Sequence, residues 1–385
     1  MIYHVPTKIY FSKGEVLNNL KTIIKDYNPE KIFLITGKNF AKQTGLLDKV
    51  LNELYNYNVL TYNNVNPSPQ LEDVNNALSE SKKHKADLII SMGGGSVLDT
   101  GKIVSIMMDE EESILDYIRN QNRATKKVPF IAIPTTAGTG SEVTPFAVFY
   151  HNKKKQSFGS IKDYLVYPNH AVIDPILTLT MPKELIASSG LDAFSQALES
   201  YWSVNSNPLS DVHAIEAIDL IFKNLVNAYI FPENIDFRIN MSKASLEAGL
   251  AISQTATTAS HAVSYPMTAY FNVPHGFACA LSLPEFLLYN YNLNENDCLG
   301  KRDPEFVKNK LEKLIYKIDF SSDMIHFYLK IRKLMQNVNA PLTLNEAGIN
   351  DFNVVLEEGF APERMNNNPR LVTKESLKTI LEKIK

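Results

Sequence analysis

The chain has 385 residues, which exceeds the usual size of a single hydrophobic core and favours two domains. Hydrophobic residues make up 44% and charged residues 21%, the composition of an ordinary water-soluble globular enzyme. The formal net charge of −3 gives no general attraction to nucleic acid or anionic lipid, and no apolar run reaches membrane-spanning length, so we expect neither a nucleic-acid nor a membrane partner.

The first half of the chain alternates apolar runs typical of buried strands with segments of helical periodicity. We predict strands at 31–36, 58–62, 86–92, 128–133 and 171–174, and helices at 46–57, 70–83 and 96–108. Strand-like runs at 146–150 and 156–158 flank three lysines and predict a β-hairpin. Because alternating strands and helices form a parallel, three-layer sheet, we expect an α/β domain over residues 1–178.

From Pro182 onward the pattern changes to long helical periodicities, and strand-like runs become scarce. Helices are predicted at 186–202, 210–228, 239–258 and 304–336, with a turn at 366–369 before a final short helix. We therefore expect residues 179–385 to form an all-α domain.

Three consecutive glycines, Gly93, Gly94 and Gly95, lie where a predicted strand meets a predicted helix. Such a turn lets backbone amides approach a diphosphate, and the positive end of the helix dipole favours the anion. The spacing matches neither G-x-G-x-x-G nor a P-loop. A plain tight turn, with Ser96 as N-cap and Asp99 closing a capping box, would explain the same residues.

A second polar loop, Pro134–Glu142, follows the fourth predicted strand. It offers hydroxyl groups and flexible backbone at the carboxyl end of the sheet, where doubly wound folds bind their ligands. Two such loops on adjacent strand ends favour nucleotide binding over a plain turn. We predict cofactor contacts from both loops, at Gly93, Gly94, Gly95, Ser96, Asp99, Thr135, Thr136, Thr139 and Ser141.

Two histidines and one aspartate form a candidate metal-binding set in the helical half. Asp192 and Gln196 are four residues apart on a predicted helix and project from one face. His261 lies on another predicted helix, and His275 follows fourteen residues later. Two neutral imidazoles and one carboxylate suit a divalent transition metal and leave positions open for a substrate oxygen. The other six histidines are interpreted as packed or surface residues.

The order of these motifs resembles the iron-containing (group III) alcohol dehydrogenase family over nearly the whole chain. The resemblance rests on Gly93-Gly-Gly-Ser-x-x-Asp99-x-x-Lys102, Pro134-Thr-Thr-Ala-Gly-Thr-Gly-Ser-Glu142, Asp174-Pro175, Gly190-Leu-Asp-Ala193 and Pro274-His-Gly276. It implies an N-terminal dinucleotide-binding domain, a C-terminal helical domain and a catalytic metal in the cleft between them. It also implies hydride transfer between a nicotinamide and a small alcohol or aldehyde, and a homodimer, since dimers are common in the family.

The resemblance implies a metal-ligand set from which this chain departs. The family usually uses an aspartate, a histidine four residues later and two further histidines, which fall on Asp192, Gln196, His261 and His275. The neutral amide of Gln196 is a weaker donor to Fe²⁺ or Zn²⁺ than imidazole, so we interpret it as a weak ligand or a neighbour of the ligands. Tyr265 stands where the family commonly has a proton-relay histidine; with an ordinary pKa near 10, it is a poor base but can donate a proton or orient substrate.

The residues after the first predicted strand bear on the choice of cofactor. In the family an acidic residue there favours NAD, because it pairs with the ribose hydroxyls and repels a 2′-phosphate. This chain has Gly37 and Lys38 instead, so we predict that NADP(H) is favoured over NAD(H). The alternative is that Lys38 is an ordinary solvated lysine.

The segment Thr257–Pro266 resembles the phosphonoacetaldehyde reductase branch of the family, which implies reduction of that aldehyde to 2-hydroxyethylphosphonate. An anionic substrate needs cationic or hydroxyl partners, and the candidates are Thr257, Thr258 and Lys162, the last also placed in the cofactor-binding set. The alternatives are a short-chain aldehyde reductase of other specificity, a lyase of the dehydroquinate synthase type, and a metal-free homologue that only binds nucleotide.

The cysteines and the N-terminal residues indicate the cellular compartment of the protein. Cys279 and Cys298 do not form a pair at metal-binding or redox spacing, which is typical of a reduced compartment. The first residues lack a basic segment followed by an apolar one, so no signal peptide is expected. We therefore expect a cytoplasmic protein.

Overall fold

The structure, a computed structural model, describes residues 3–38, 45–120, 124–159, 163–300, 302–321 and 323–385. The chain divides into two compact units, one ending at Thr180 and the other spanning Met181–Lys385. The N-terminal unit is α/β with a parallel sheet, and the C-terminal unit is helical. The predicted fold class is thereby confirmed.

The described part of the N-terminal unit contains strands β1 to β8 and helices α1 to α5. The strands are Lys8–Phe11, Lys31–Gly37, Asn58–Val65, Leu88–Gly93, Phe130–Pro134, Ala147–His151, Lys154–Phe158 and His170–Ile173. The helices are Val16–Tyr27, Leu46–Glu53, Leu71–His84, Gly95–Met107 and Ile114–Arg119, and short 3₁₀ turns occupy Ser141–Val143 and Pro175–Thr178. Six strands form a parallel sheet in the order β1-β8-β5-β4-β2-β3, and β6 and β7 form the predicted antiparallel hairpin.

The central strands are apolar along their length because helices cover both faces of the sheet. On β2, Phe33 and Ile35 point into one core, with residues of α3 and α4, whereas Ile32 and Leu34 point into the other, with residues of α1 and α2. The strand order makes β2, β4 and β5 neighbours, so the loops that follow them lie at one edge of the sheet.

The described part of the C-terminal unit contains helices α6 to α15. They are Lys183–Trp202, Pro208–Ile230, Ile235–Thr255, Ala259–Phe271, His275–Tyr291, Pro304–Asp319, Met324–Asn337, Asn353–Glu358, Pro362–Met365 and Lys374–Lys383. In the ranges that the structure describes, no helix is long and apolar enough to cross a lipid bilayer.

The prediction of one continuous helix at 304–336 is wrong. Phe320 adopts a left-handed conformation with φ of 51° and ends α11. Asp323 then accepts hydrogen bonds from the backbone amides of Ile325 and His326 and starts α12. The apolar periodicity continues across this break because both helices bury one face, so periodicity alone does not reveal the interruption. The sequence analysis did not predict strand β1 or five of the helices, α1, α5, α10, α13 and α14.

Candidate metal and cofactor sites

Three helices of the C-terminal unit bring the predicted metal ligands together. Asp192 lies on α6, His261 on α9, and His275 is the first residue of α10. Asp192 Oδ1 is 3.4 Å from His261 Nε2 and 4.0 Å from His275 Nε2. The thiol of Cys279, which the sequence interpretation set aside, lies 3.7 Å from His275 Nε2. One donor atom from each of these four residues lies within 4.8 Å of the other three.

Three side-chain atoms, two in this cluster and one on the same face of α6, have no hydrogen-bond partner among the described residues. They are Asp192 Oδ1, Gln196 Oε1 and His261 Nε2, all buried. A buried polar atom without a partner costs about 1–3 kcal/mol, so three such atoms side by side are unfavourable unless something else binds them. A divalent cation held by the four-residue cluster would satisfy Asp192 Oδ1 and His261 Nε2. On this ground the residues fit the metal that the sequence predicts.

A close contact between two helices explains why the residue after His275, Gly276, has to be glycine. A Cβ atom at Gly276 would lie 1.8 Å from the carbonyl oxygen of Ser188 and 2.9 Å from the backbone nitrogen of Asp192. Any other residue would force α10 away from α6. The glycine therefore lets the first turn of α10 carry His275 to the carboxylate of Asp192.

Glu199 is a candidate site residue that the sequence interpretation missed. It is fully buried on α6, and its Oε2 accepts a hydrogen bond from His261 Nδ1. Its Oε1 accepts from Thr258 N at 3.2 Å, Thr258 Oγ1 at 2.8 Å and Ser260 N at 2.8 Å. One carboxylate therefore caps the N-terminus of α9 and holds a proton on Nδ1 of His261, which leaves Nε2, on the side of Asp192, as the ring atom available to a metal.

The spacing that could have revealed Glu199 is present in the sequence. Asp192, Gln196 and Glu199 occupy positions i, i+4 and i+7 of α6 and share one helix face. A glutamate on the face that carries a metal ligand is a candidate to hold a neighbouring ligand histidine.

Buried opposite charges set the ionisation of the cluster. Burial alone would raise the pKa of Asp192, but the nearby His261 and His275 imidazoles and the Gln196 amide lower it overall. Burial disfavours the charged form of His275, but the adjacent Cys279 and Asp192 raise its pKa above the ordinary value. Asp192 is therefore ionised at neutral pH, and a bound cation would take the place of protons on the imidazoles.

Tyr265 lies against the metal cluster. Its ring stacks on that of His275 with centroids 5.6 Å apart and planes at 17°. Burial raises the pKa of Tyr265, and the nearby Arg364 guanidinium only partly opposes this. The phenol is therefore neutral at physiological pH, which suits a proton donor and not a base.

In the N-terminal unit the two predicted cofactor loops pack against each other. Thr135 N donates to the carbonyl of Gly93 at 3.0 Å. A Cβ atom at Gly94 would lie 3.4 Å from the Thr136 side chain, and one at Gly95 would lie 2.7 Å from that of Thr139. Gly94 is the N-cap of α4 and has no side chain to cap the first-turn amides, which leaves a helix N-terminus of the kind that binds phosphate.

The interpretation of Ser96 and Asp99 as a capping box is wrong. The carboxylate of Asp99 accepts hydrogen bonds from Ser141 Oγ at 2.5 Å and from Val148 N at 2.9 Å. Ser96 Oγ accepts a bond from the amide of Ser68 at 3.2 Å. Asp99 and Ser141 therefore hold the second loop against α4.

The remaining predicted cofactor residues lie at the same sheet edge or outside the described residues. Gly37 ends β2, and a Cβ atom there would lie 3.7 Å from Val97 on α4. Lys38 follows in a turn and is exposed. Lys162 falls outside the residues that the structure describes.

Comparison with family models shows which protein family the chain belongs to. The model for iron-containing alcohol dehydrogenase matches residues 6–175, and that for the C-terminal part of the Fe-containing alcohol dehydrogenase family matches residues 186–385. The chain belongs to the iron-containing alcohol dehydrogenase family. Members of this family are oxidoreductases that act on CH–OH groups with NAD(P) and a divalent metal.

Individual relatives agree with membership of the family. The NADPH-dependent butanol dehydrogenase of Clostridium saccharobutylicum is 31% identical, with 99% of this chain and 97% of the relative aligned. The 1,3-propanediol dehydrogenase of Citrobacter freundii is 32% identical, over 89% of this chain and 88% of the relative. The solved sulfoacetaldehyde reductase of Bifidobacterium kashiwanohense, in complex with NAD⁺, superposes with a TM-score of 0.88 at 30% identity, covering 100% of this chain and 98% of that one.

Proposed function

We propose that the chain is a metal-dependent, NADPH-linked aldehyde reductase in which Asp192, His261 and His275 hold the metal. The observation that carries this proposal is the convergence of buried donor atoms without partners at one point of the helical unit. Fe²⁺ or Zn²⁺ held there would act as a Lewis acid toward the substrate oxygen. A converging and unsatisfied donor set argues against the metal-free alternative.

The surrounding residues prepare this site for reduction of a carbonyl. Glu199 keeps the proton of His261 on Nδ1, so that Nε2 stays available as a donor atom. Tyr265 holds a proton at its phenolic oxygen beside His275, and we assign it to orient the substrate or to supply the proton that the reduced oxygen gains. The amide of Gln196, four residues after Asp192 on α6, lowers the pKa of that carboxyl and so favours its ionised form.

We assign dinucleotide binding to residues 1–178 and metal and substrate binding to residues 179–385. The glycine turn and the N-terminus of α4 would receive the diphosphate, with Thr136 and Thr139 beside it. Gly37 and Lys38 support NADP(H), because the end of β2 carries no carboxylate to repel a 2′-phosphate. A homodimer, common in the family, is the expected assembly.

Gly37→Asp is expected to lower kcat/KM for NADPH by about 10-fold or more and to leave kcat/KM for NADH equal or higher. A repulsion of about 1.4 kcal/mol against the 2′-phosphate suffices for this change. The new Cβ atom would meet Val97 at an ordinary 3.7 Å, so the side chain fits. Steady-state kinetics with both cofactors measure the effect. Gly37→Ala is the control. Equal losses of kcat/KM for NADPH in the two variants would contradict the cofactor assignment.

We propose an anionic two-carbon aldehyde, phosphonoacetaldehyde, as the substrate. The fold similarity to a sulfoacetaldehyde reductase supports this class, since sulfonate and phosphonate are both tetrahedral anions. Of the predicted anion partners, Thr258 is unsuitable, because its hydroxyl donates to Glu199 and accepts from Trp202. Arg364 is a better candidate: it lies on α14, which packs against α9, and its charge acts on Tyr265 beside the metal ligands.

Arg364→Gln is expected to raise KM for phosphonoacetaldehyde by about 10-fold or more, because a charge-assisted bond to the phosphonate is lost. KM for propanal, which carries no anion, is expected to change little. NADPH oxidation with both aldehydes measures this difference, and Arg370→Gln, which removes an arginine paired with Asp297, is the control.

Two outcomes would contradict the substrate assignment. Equal effects of Arg364→Gln on both aldehydes would remove Arg364 as the anion partner. Reduction of propanal as efficiently as phosphonoacetaldehyde by the unaltered enzyme would favour the short-chain alternative. Net consumption of NADPH in either reaction excludes the lyase, which regenerates its cofactor.

A further inference from the structure

We propose that Cys279 is the fourth protein ligand of the metal, in the role that the family gives to the histidine replaced here by Gln196. This inference rests on the metal site of the proposed function. Cys279 follows His275 by four residues on the same helix, whereas its other two neighbours in the cluster, Asp192 and His261, come from other helices.

The position of Cys279 on α10 directs it to the same point as His275. The two residues are the fifth and first of the helix, four apart, so both side chains leave one face. Cys279 is fully buried, and its sulfur is 3.7 Å from His275 Nε2. Bond lengths near 2.3 Å for sulfur and 2.0–2.1 Å for nitrogen, at a tetrahedral angle, place two ligand atoms about 3.6 Å apart. The observed 3.7 Å matches the separation expected for two ligands of one ion.

The neighbouring atoms point to a bound cation and not to a packed thiol. Asp192 Oδ1 and His261 Nε2 belong to the same cluster of donors, are more than nine-tenths buried, and have no hydrogen-bond partner among the described residues. An ordinary buried cysteine is surrounded by apolar atoms. Here the sulfur faces two imidazoles and a carboxylate oxygen, so a metal would satisfy the sulfur together with the unpartnered atoms.

Donor chemistry favours Cys279 over Gln196 as the fourth protein ligand of the metal. A thiolate is an anionic, soft donor that binds Zn²⁺ and Fe²⁺ well, whereas the amide oxygen of Gln196 is neutral and hard. With Asp192 and Cys279 both ionised, two negative charges balance a divalent ion in a buried site, which lowers the cost of burying it.

Cobalt substitution tests the inference directly, because a thiolate bound to Co²⁺ gives an intense near-ultraviolet charge-transfer band that oxygen and imidazole ligands do not give. The full-length protein loaded with Co²⁺ is expected to show this band. Cys279→Ser is expected to lose it while the protein stays folded by circular dichroism. Cys298→Ser is the control, since that thiol bonds to the carbonyl of Arg302 and should leave the band intact. A missing band in the unaltered protein, or a band that persists in Cys279→Ser, overturns the inference.

Metal affinity gives a second readout that does not depend on activity. In competition with a chelator, Cys279→Ala is expected to bind Zn²⁺ at least about 10-fold more weakly, and Gln196→Ala is expected to lose less. The reverse order would make Gln196 the fourth ligand and overturn the inference. The variant Asp192→Asn distinguishes failure of this inference from failure of the proposed metal site. If Asp192, His261 and His275 held no metal at all, Asp192→Asn would leave metal affinity unchanged.

Discussion

Replacement of Asp192 by asparagine is expected to lower metal affinity by more than about 100-fold and to reduce aldehyde reduction to a small residual rate. Asp192 supplies the carboxylate of the cluster, and its Oδ1 lies between the two imidazoles. Asparagine keeps the shape but removes the negative charge that offsets a divalent cation. Metal content after dialysis and kcat/KM with NADPH measure the two effects.

The control for this variant is Asp297→Asn, which removes a carboxylate paired with Arg370 away from the cluster. We expect it to keep full metal content and near-normal activity. If Asp192→Asn bound a full equivalent of metal and kept its rate, Asp192 would not be a ligand.

Glu199→Gln is expected to weaken metal binding by about 10- to 100-fold, although Gln has nearly the same size. The amide oxygen can still accept from Thr258 and Ser260, but the amide NH₂ would then face His261 Nδ1, which already carries a proton. His261 would relieve this clash by moving its proton to Nε2, the atom assigned to the metal. Titration with Zn²⁺ measures the loss.

Glu199→Ala, compared with Glu199→Gln, separates the two roles of this carboxylate. It removes the acceptor for the N-terminus of α9 as well as the partner of His261, so we expect a loss of about 3–5 kcal/mol in the free energy of unfolding together with weak metal binding. Glu285→Gln is a control, since Glu285 is a buried glutamate of α10 that accepts from Tyr328. Metal affinity that is normal in Glu199→Gln would contradict the tautomer argument.

The α/β half of the fold was predictable because each central strand is covered on both faces. Burial on both faces makes β2 and β4 continuous apolar runs, which stand out from the helical periods between them. The glycine turn and the loop Pro134–Glu142 were also recognisable, since glycines and hydroxyls at strand ends are local signals. The break at Phe320 was not, because one left-handed residue leaves the periodicity of its neighbours intact.

The site was predictable only in part, because local sequence signals do not reveal contacts that form only when distant segments fold together. Asp192, His261 and His275 were identified by residue type and by their motifs. Glu199 was missed because its partners, the amides at the start of α9, lie about 60 residues away and meet it only after folding. Cys279 was missed because cysteines were judged as a pair with each other, whereas its neighbours are histidines. Asp99 was given a local partner, but folding directs it to Ser141.

The most direct test of the central claim measures NADPH oxidation by the enzyme after chelation and after readdition of Fe²⁺, Zn²⁺ or Mn²⁺. We expect aldehyde reduction to disappear with the metal and to return with at least one of these ions. NADPH binding, followed by nucleotide fluorescence, should persist throughout, because the residues assigned to it lie in the N-terminal unit. Full aldehyde reduction by protein shown to contain no metal would contradict the account.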